Sequence, residues 1–322
     1  MTNIVTIGGG TGTFAVLSGL RRLPDVLLSA IVTTADDGGS TGHLRDAYGF
    51  LPAGDARQAL VALAEDGNVL RDLFAYRFTK SEVKGHNLGN LFITALTDLL
   101  GSDAAALEEA SRILRIRGVV IPATEKPSTL LATLEDGTII RNERSIDERI
   151  AGRPRIKELT LETPEPISPA AKNAIEAADL IILGPGDLYT SSIAALLPSG
   201  MKEAVTASKA RLVYVGNLFT KMGQTEGYTA RDHVREIARY AGREPDVIFL
   251  NQNGLQKEVL ETYAQSGEYP PDDDFLMTDA RVERLPLVSV YAVPSVENDP
   301  LPRSLIRHDP AKLAAALATL FS

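Results

Sequence analysis

Ile4-Val5-Thr6-Ile7-Gly8-Gly9-Gly10-Thr11-Gly12-Thr13 is the stretch that decides the fold. Its first four residues are apolar or β-branched without alternation, the pattern of a short strand buried on both faces. Four glycines end that strand. Phe14, Val16, Leu17, Leu20 and Leu23 then recur near helical spacing until Pro24. Leu28 to Thr34 (LSAIVTT) reads as a second strand, closed by Ala35-Asp36-Asp37-Gly38-Gly39-Ser40. A strand–helix–strand unit of this length implies two parallel strands joined by a right-handed crossover.

The alternation returns further along. Leu180 to Leu183 runs into Gly184-Pro185-Gly186, Arg211 to Val215 into Gly216-Asn217, and Val247 to Leu250 into Asn251. Helical patterns over Ala170 to Ala178 and Ala230 to Tyr240 lie between them. Every strand thus ends in a small, polar turn, where open α/β sheets place their ligands. The expected fold is α/β, with a mostly parallel sheet flanked by helices. From about Gly118 to Glu165 the pattern changes to period-2 runs with turn signals such as Glu135-Asp136-Gly137, so an antiparallel patch or lid is expected there. The charges at Arg141, Glu143, Arg144, Asp147, Glu148 and Arg149 read as its solvated face, a basic ligand contact being the alternative, and Glu268 to Asp274 (EYPPDDD) as an exposed acidic loop. No repeat or long linker divides the chain, so one domain spans 1–322 and carries the β-rich region within it.

Composition narrows the ligand chemistry. A formal net charge of −9 argues against general affinity for nucleic acid or an anionic membrane. An anionic ligand must then be held by local backbone donors and a few placed cations. With no cysteine, disulfides, thiolate catalysis and cysteine zinc sites are excluded, and a reducing compartment fits. Met1-Thr2-Asn3 has no basic segment of a secretory signal, and no run approaches the roughly 20 apolar residues of a membrane span. The cytoplasm is the expected location.

The glycine turn allows close backbone approach to a phosphate, whose charge would sit at a helix N-terminus. Gly8, Gly9, Gly10, Thr11, Gly12 and Thr13 are therefore candidate phosphate contacts, the alternative being a tight turn without ligand. The pattern is neither G-x-G-x-x-G, since position 13 is Thr, nor a Walker A loop, since no Gly-Lys-Ser/Thr follows. Asp36 and Asp37, with Gly38 and Ser40, end the second strand where a dinucleotide fold grips a ribose; they could equally hold magnesium or shape the turn. Asp55 and Arg57 could add a carboxylate and a guanidinium fork, or Asp55 could cap a helix from Ala56 to Ala64. Gly85-His86-Asn87-Leu88-Gly89-Asn90 opens another helix and groups His86 with Asn87 and Asn90; a hydrogen-bonding core histidine is the plainer reading. Gly184, Gly186, Asp187 and Tyr189 belong to a second possible anion turn, followed by the hydroxyls of Thr190, Ser191 and Ser192. Asn217 to Thr225 (NLFTKMGQT), with Asn217 and Thr220, forms a third polar exit. His43, His86, His233 and His308 have no local metal spacing, and there is no G-x-S-x-G elbow.

These turns resemble those of the gluconeogenesis factor (YvcK-type) family, cousins of 2-phospho-L-lactate transferase in the CofD-like superfamily. The matching stretches are GGGTG at Gly8–Gly12, ADDGGSTGHLR at Ala35–Arg45, LPAGDAR at Leu51–Arg57, YRF at Tyr76–Phe78 and GHNLGNL at Gly85–Leu91. GPGDLYTS at Gly184–Ser191, GNLFTKMGQTEGYTARDHV at Gly216–Val234 and RHDPAKLA at Arg307–Ala314 continue the match, the last adding Arg307 to the candidate contacts. Some positions depart from the family. Ala53 stands where a second proline is usual, Asp187 where serine is, and Lys221 and Gln224 replace Gln and Glu. A carboxylate at position 187 could repel a phosphate.

The resemblance implies a Rossmann-like α/β unit with a smaller appended region. It further implies a binding or regulatory protein for a nucleotide-sugar such as UDP-N-acetylglucosamine, supporting cell shape and envelope synthesis on gluconeogenic carbon sources. Two alternatives stay open: a phospholactyl-type transferase, with Asp36, Asp37 and Asp55 holding Mg2+ against the donor's diphosphate, and an NAD(P)-binding protein. A homo-oligomer is expected, with proteins of envelope synthesis as candidate partners, no nucleic acid and no membrane insertion.

Overall fold

In the computed structural model, which describes residues 1–35, 50–252, 255–289 and 306–321, each apolar run before a glycine turn is a strand of one parallel sheet. Its strands are β1 (Thr2–Ile7), β2 (Val26–Val32) and β3 (Val119–Pro122), followed after the appended region by β7 (Leu180–Leu183), β8 (Arg211–Val215), β9 (Val247–Asn251) and β10 (Val282–Leu285). The order across the sheet is β10-β9-β8-β7-β1-β2-β3, and every pairing is parallel. Chain order therefore runs one way from β1 to β3 and the other way from β7 to β10. The reversal lies between β1 and β7, where Ile4 is in register with Leu28 on one side and Leu180 on the other.

The unalternating strand sequences follow from burial on both faces. In β7, Leu180 and Ile182 enter one core and Ile181 and Leu183 the other; in β8, Val213 and Val215 oppose Leu212 and Tyr214. The first core is closed by helices Gly10–Leu20, Ala53–Leu63 and Pro310–Ala318 through Leu17, Leu60 and Leu313. The second is closed by helices Pro169–Glu176, Met201–Ala207 and Ala230–Ala241 through Ile175, Val205 and Ile237. Helix ends follow their sequence signals: Thr229 and Asp232 form a capping box, and Gly242 ends that helix in the left-handed region at φ 81°.

The appended region is a three-stranded antiparallel sheet in the order β5-β4-β6, formed by β4 (Leu130–Leu134), β5 (Ile139–Arg141) and β6 (Ile156–Leu161). Leu130, Ala132 and Leu159 lay it against the second core. Val119–Pro122 does not belong to this patch. It pairs with β2 as the edge of the main sheet, because Val120 and Ile121 are both buried there. The expected solvated charged face also holds only in part: Arg141 pairs with exposed Glu162 at 2.7 Å, whereas Asp147 and Arg149 reach across to the main sheet. Arg149 meets Glu268 at 2.9 Å, and Glu268 is buried, so the acidic loop is anchored at its first residue.

No helix among the described residues is long and apolar enough to cross a membrane.

Candidate functional site

The exits of β1 and β7 meet at the point where strand order reverses, and they meet glycine to glycine. A side chain on Gly12 would place its Cβ 1.8 Å from the Pro185 carbonyl oxygen, and one on Gly186 would lie 3.3 Å from the Gly9 carbonyl oxygen. Gly8 and Gly10 hold φ of 145° and 72°, which L side chains rarely adopt. Gly9 leaves room for Asp55, whose carboxylate oxygen is 1.8 Å from where a Cβ would stand. All four glycines thus have reasons inside the protein, so their number is no longer an argument for a ligand. Thr13 is buried and donates to the Gly9 carbonyl at 3.1 Å; Thr11 is exposed on the first turn of the helix.

Asp55 does not cap its own helix. That helix begins at Ala53 behind Pro52, which puts Asp55 inside the first turn. Its Oδ1 instead accepts the Gly10 N–H at 2.8 Å, so a carboxylate already neutralises the N-terminus of helix Gly10–Leu20. Two residues on, Arg57 Nε donates to Asn90 Oδ1 at 2.9 Å, joining helix Ala53–Leu63 to helix Leu88–Leu100. Asn87 is the N-cap of the latter: its side chain accepts from Gly89 N and Asn90 N and donates to the Ala75 carbonyl. His86 sits half-buried in the loop before it. The sequence cluster therefore divides into a structural cap at Asn87 and an Arg57–Asn90 pair that ties two helices together.

Asp36, Asp37, Gly38 and Ser40 lie outside the described residues. Among the described residues no three His, Asp or Glu side chains converge as a metal site, and Asp55 is the one carboxylate of the expected Mg2+ set that can be placed.

Beyond β7, Asp187 and Tyr189 part company. The Tyr189 ring is fully buried and its hydroxyl meets that of Tyr228 at 2.8 Å; burial and these neighbours raise its pKa well above the ordinary value. Asp187 faces Lys221, whose Nζ donates to it at 2.6 Å and also to Asp147 of the appended region. Gln224 Nε2 at 2.9 Å and the Thr190 hydroxyl at 3.3 Å add to Asp147. Burial lowers the Lys221 pKa, but the two carboxylates more than offset it and hold the ammonium above its ordinary value. Asp187 and Lys221 thus form an ion pair, and the carboxylate at 187 is neutralised.

The β8 exit closes the group. Asn217 Nδ2 donates to the Gly186 carbonyl at 2.6 Å while its Oδ1 accepts from the Tyr214 hydroxyl at 3.0 Å, which ties the β7 and β8 turns together. Thr220 is buried and pairs with Tyr269 through its backbone and hydroxyl. Arg307 is half-buried, next to His308, which bridges to Val288. His308 is buried beside the Gly216 backbone, and that burial pushes its pKa down to about 4. Sequence reasoning missed Asp147, Lys221 and a cleft of about 60 Å³ between the β8 and β9 exits, bordered by Asn217, His233, Leu250 and Pro271.

The comparisons agree on where this arrangement belongs. Residues 4–291 match the family model described as 2-phospho-L-lactate transferase CofD. A Thermotoga maritima protein named a gluconeogenesis factor, there marked provisional, is 41% identical over 312 residues, covering 97% of this chain and 96% of that one. Gluconeogenesis factor of Bacillus subtilis is 39% identical over 321 residues, covering 98% and 97%. The crystal structure of a UPF0052 family member from Bacillus halodurans superposes with a TM-score of 0.88 at 36% identity, covering 98% of this chain and 99% of that one. A family match over nearly the whole chain, with relatives this similar end to end, means that the chain belongs to the CofD family and groups there with the gluconeogenesis factors.

Proposed function

We propose that this is a cytoplasmic regulatory protein that binds a nucleotide-sugar, with UDP-N-acetylglucosamine as the expected ligand, across the carboxyl ends of β1, β7 and β8. The observation that carries the reading is the reversal of strand order between β1 and β7, with two polar turns opposed across it. Open parallel sheets bind nucleotides at such a crevice. Kinship with proteins named gluconeogenesis factor supports a role in growth on gluconeogenic carbon sources; a part in envelope synthesis and cell shape is what the resemblance of the turns implies. With Asp55 already at the helix N-terminus, a diphosphate would sit toward the exposed Gly10–Thr11 edge and the Arg57–Asn90 pair, not inside the glycine turn. That placement suits a protein that holds its ligand without turning it over.

A phospholactyl-type transferase is the second reading, favoured by the same Asp55 carboxylate, which could share a magnesium ion with a donor's diphosphate. Calorimetry with UDP-N-acetylglucosamine, GDP, NAD and NADP, each with magnesium and with EDTA, separates the readings. Binding confined to uridine nucleotides in both media is expected. Magnesium-dependent binding of GDP would replace the first reading with the second, and dinucleotide binding would displace both.

A further inference from the structure

We propose that the cleft between the β8 and β9 exits is the base end of the ligand site, where the buried His233 Nε2 accepts a hydrogen bond from the ring N–H of a uracil-type base. The proposal rests on the nucleotide reading above and names the part of the ligand that this cleft takes.

His233 owes its state to its place in the helix. It lies four residues after Thr229, the N-cap of helix Ala230–Ala241, so its ring folds back and Nδ1–H donates to the Thr229 carbonyl at 2.9 Å. The second nitrogen then carries the lone pair and acts as an acceptor. The residue is 2% exposed, and Nε2 has no hydrogen-bond partner among the described residues. The Tyr228 ring stands edge-on to the imidazole at 5.6 Å and fixes its plane. Burial lowers the pKa of His233, which keeps the ring neutral at ordinary pH.

The other polar groups of the cleft are engaged within the protein. Tyr214 donates to Asn217, Asn217 to Gly186, and Asp273 is held by Arg284 at 2.6 Å. Asn251 Oδ1 accepts the Leu287 N–H at 2.9 Å. Leu218, Leu250, Leu255, Pro270 and Pro271 supply apolar walls, and the prolines bring no N–H. A cleft with apolar walls, its polar side chains already engaged, and an unmet acceptor on His233 selects a flat, uncharged group that carries a donor. A lone buried acceptor is unfavourable until such a donor arrives.

Size and distance point the same way. The cleft holds about 60 Å³, several times the roughly 10–15 Å³ that one water needs. Its place at the β8–β9 exits is two strand spacings, roughly 10 Å, from the β1–β7 crevice. That is about the reach of a ribose and a single-ring base from a diphosphate bound there. At N3 uracil presents an N–H to such an acceptor, whereas cytosine, of the same shape, presents a lone pair there and carries its donor on the exocyclic N4.

The experiment compares UDP with CDP by calorimetry on the parent protein, and repeats the pair on His233→Phe. Parent protein is expected to bind UDP at least tenfold more tightly than CDP, about 1.4 kcal/mol, and His233→Phe to lose that preference. UDP methylated at N3 tests the same bond from the ligand side, with no variant to fold, and should bind the parent at least tenfold more weakly than UDP. Equal binding of UDP, CDP and N3-methyl-UDP by the parent overturns the base pocket but leaves the nucleotide reading standing. A preference for UDP that survives in a folded His233→Phe overturns the role of His233. No binding of any uridine nucleotide removes the reading itself and the inference with it.

Discussion

Replacing Gly12 by alanine separates the two explanations of the glycine turn by the sign of the effect. Gly12 lies inside helix Gly10–Leu20, where alanine is intrinsically better than glycine by about 1 kcal/mol. Were the position small only to admit a phosphate, the variant without ligand would gain roughly that amount. The structure gives the opposite answer. The new Cβ would stand 1.8 Å from the Pro185 carbonyl oxygen and 2.3 Å from its carbon, both backbone atoms in the β7 turn. An ordinary contact, from 3.4 Å upward, is regained only by moving one turn from the other by about 1.6 Å, against close-packed surroundings. Overpacking of this kind typically costs about 1–3 kcal/mol, and a backbone obstacle belongs at the upper end. After the helical gain the net expectation is a loss of about 1–2 kcal/mol. Urea denaturation of the unliganded protein, followed by far-ultraviolet circular dichroism, measures it. Gly19→Ala is a control on the same helix, since its Cβ would lie 2.1 Å from the Pro310 carbonyl oxygen. A Gly12→Ala protein as stable as the parent, or more so, would refute the steric reasoning and return the position to the ligand.

Three further outcomes are expected. Lys221→Gln leaves Asp147 and Asp187 without their shared cation and should lose about 1–3 kcal/mol, discounted because both carboxylates are more than a third exposed; adding Asp187→Ser should recover at least half, and additive losses in the double-mutant cycle would show that the pair is uncoupled. His308 has a folded pKa near 4, below the unfolded value of about 6.5, so the unfolded chain binds more protons between those limits. Stability is then full above pH 6.5 and falls toward pH 4 by on the order of 3 kcal/mol, and His308→Gln should flatten that part of a urea-midpoint profile. Asn87→Ala removes an N-cap and should lower stability by about 1–2 kcal/mol while leaving calorimetric affinity for UDP-N-acetylglucosamine unchanged.

Much of the fold is legible in the chain because its signals are local. Ile4 to Ile7 and Leu180 to Leu183 announce strands buried on both faces, and the glycine and asparagine turns mark their exits. Period-2 runs in the middle of the chain likewise announce the antiparallel sheet, although their expected span takes in β3, which belongs to the main sheet. A four-residue strand carries too little pattern to say which sheet it will join, and pairing with β2 decided that. The candidate site was legible as a set of turns and not as a set of roles. Asn87 and Arg57 look equally functional in sequence, yet one caps a helix and the other bonds Asn90 on the neighbouring helix.

Sequence alone determined the α/β class, the parallel sheet, the exits at which polar residues gather and the family resemblance, since strand burial, helical spacing and turn chemistry are properties of neighbours along the chain. Tertiary structure decided which exits face each other. Asp55 reaches the Gly10 amide from 45 positions away, Lys221 joins Asp187 and Asp147 across 34 and 74, and an ion pair or a steric limit at such distances leaves no local trace. It also decided that Gly9 and Gly12 are small for the sake of Asp55 and Pro185, because close approach depends on the partner's position, which the chain near either glycine does not encode.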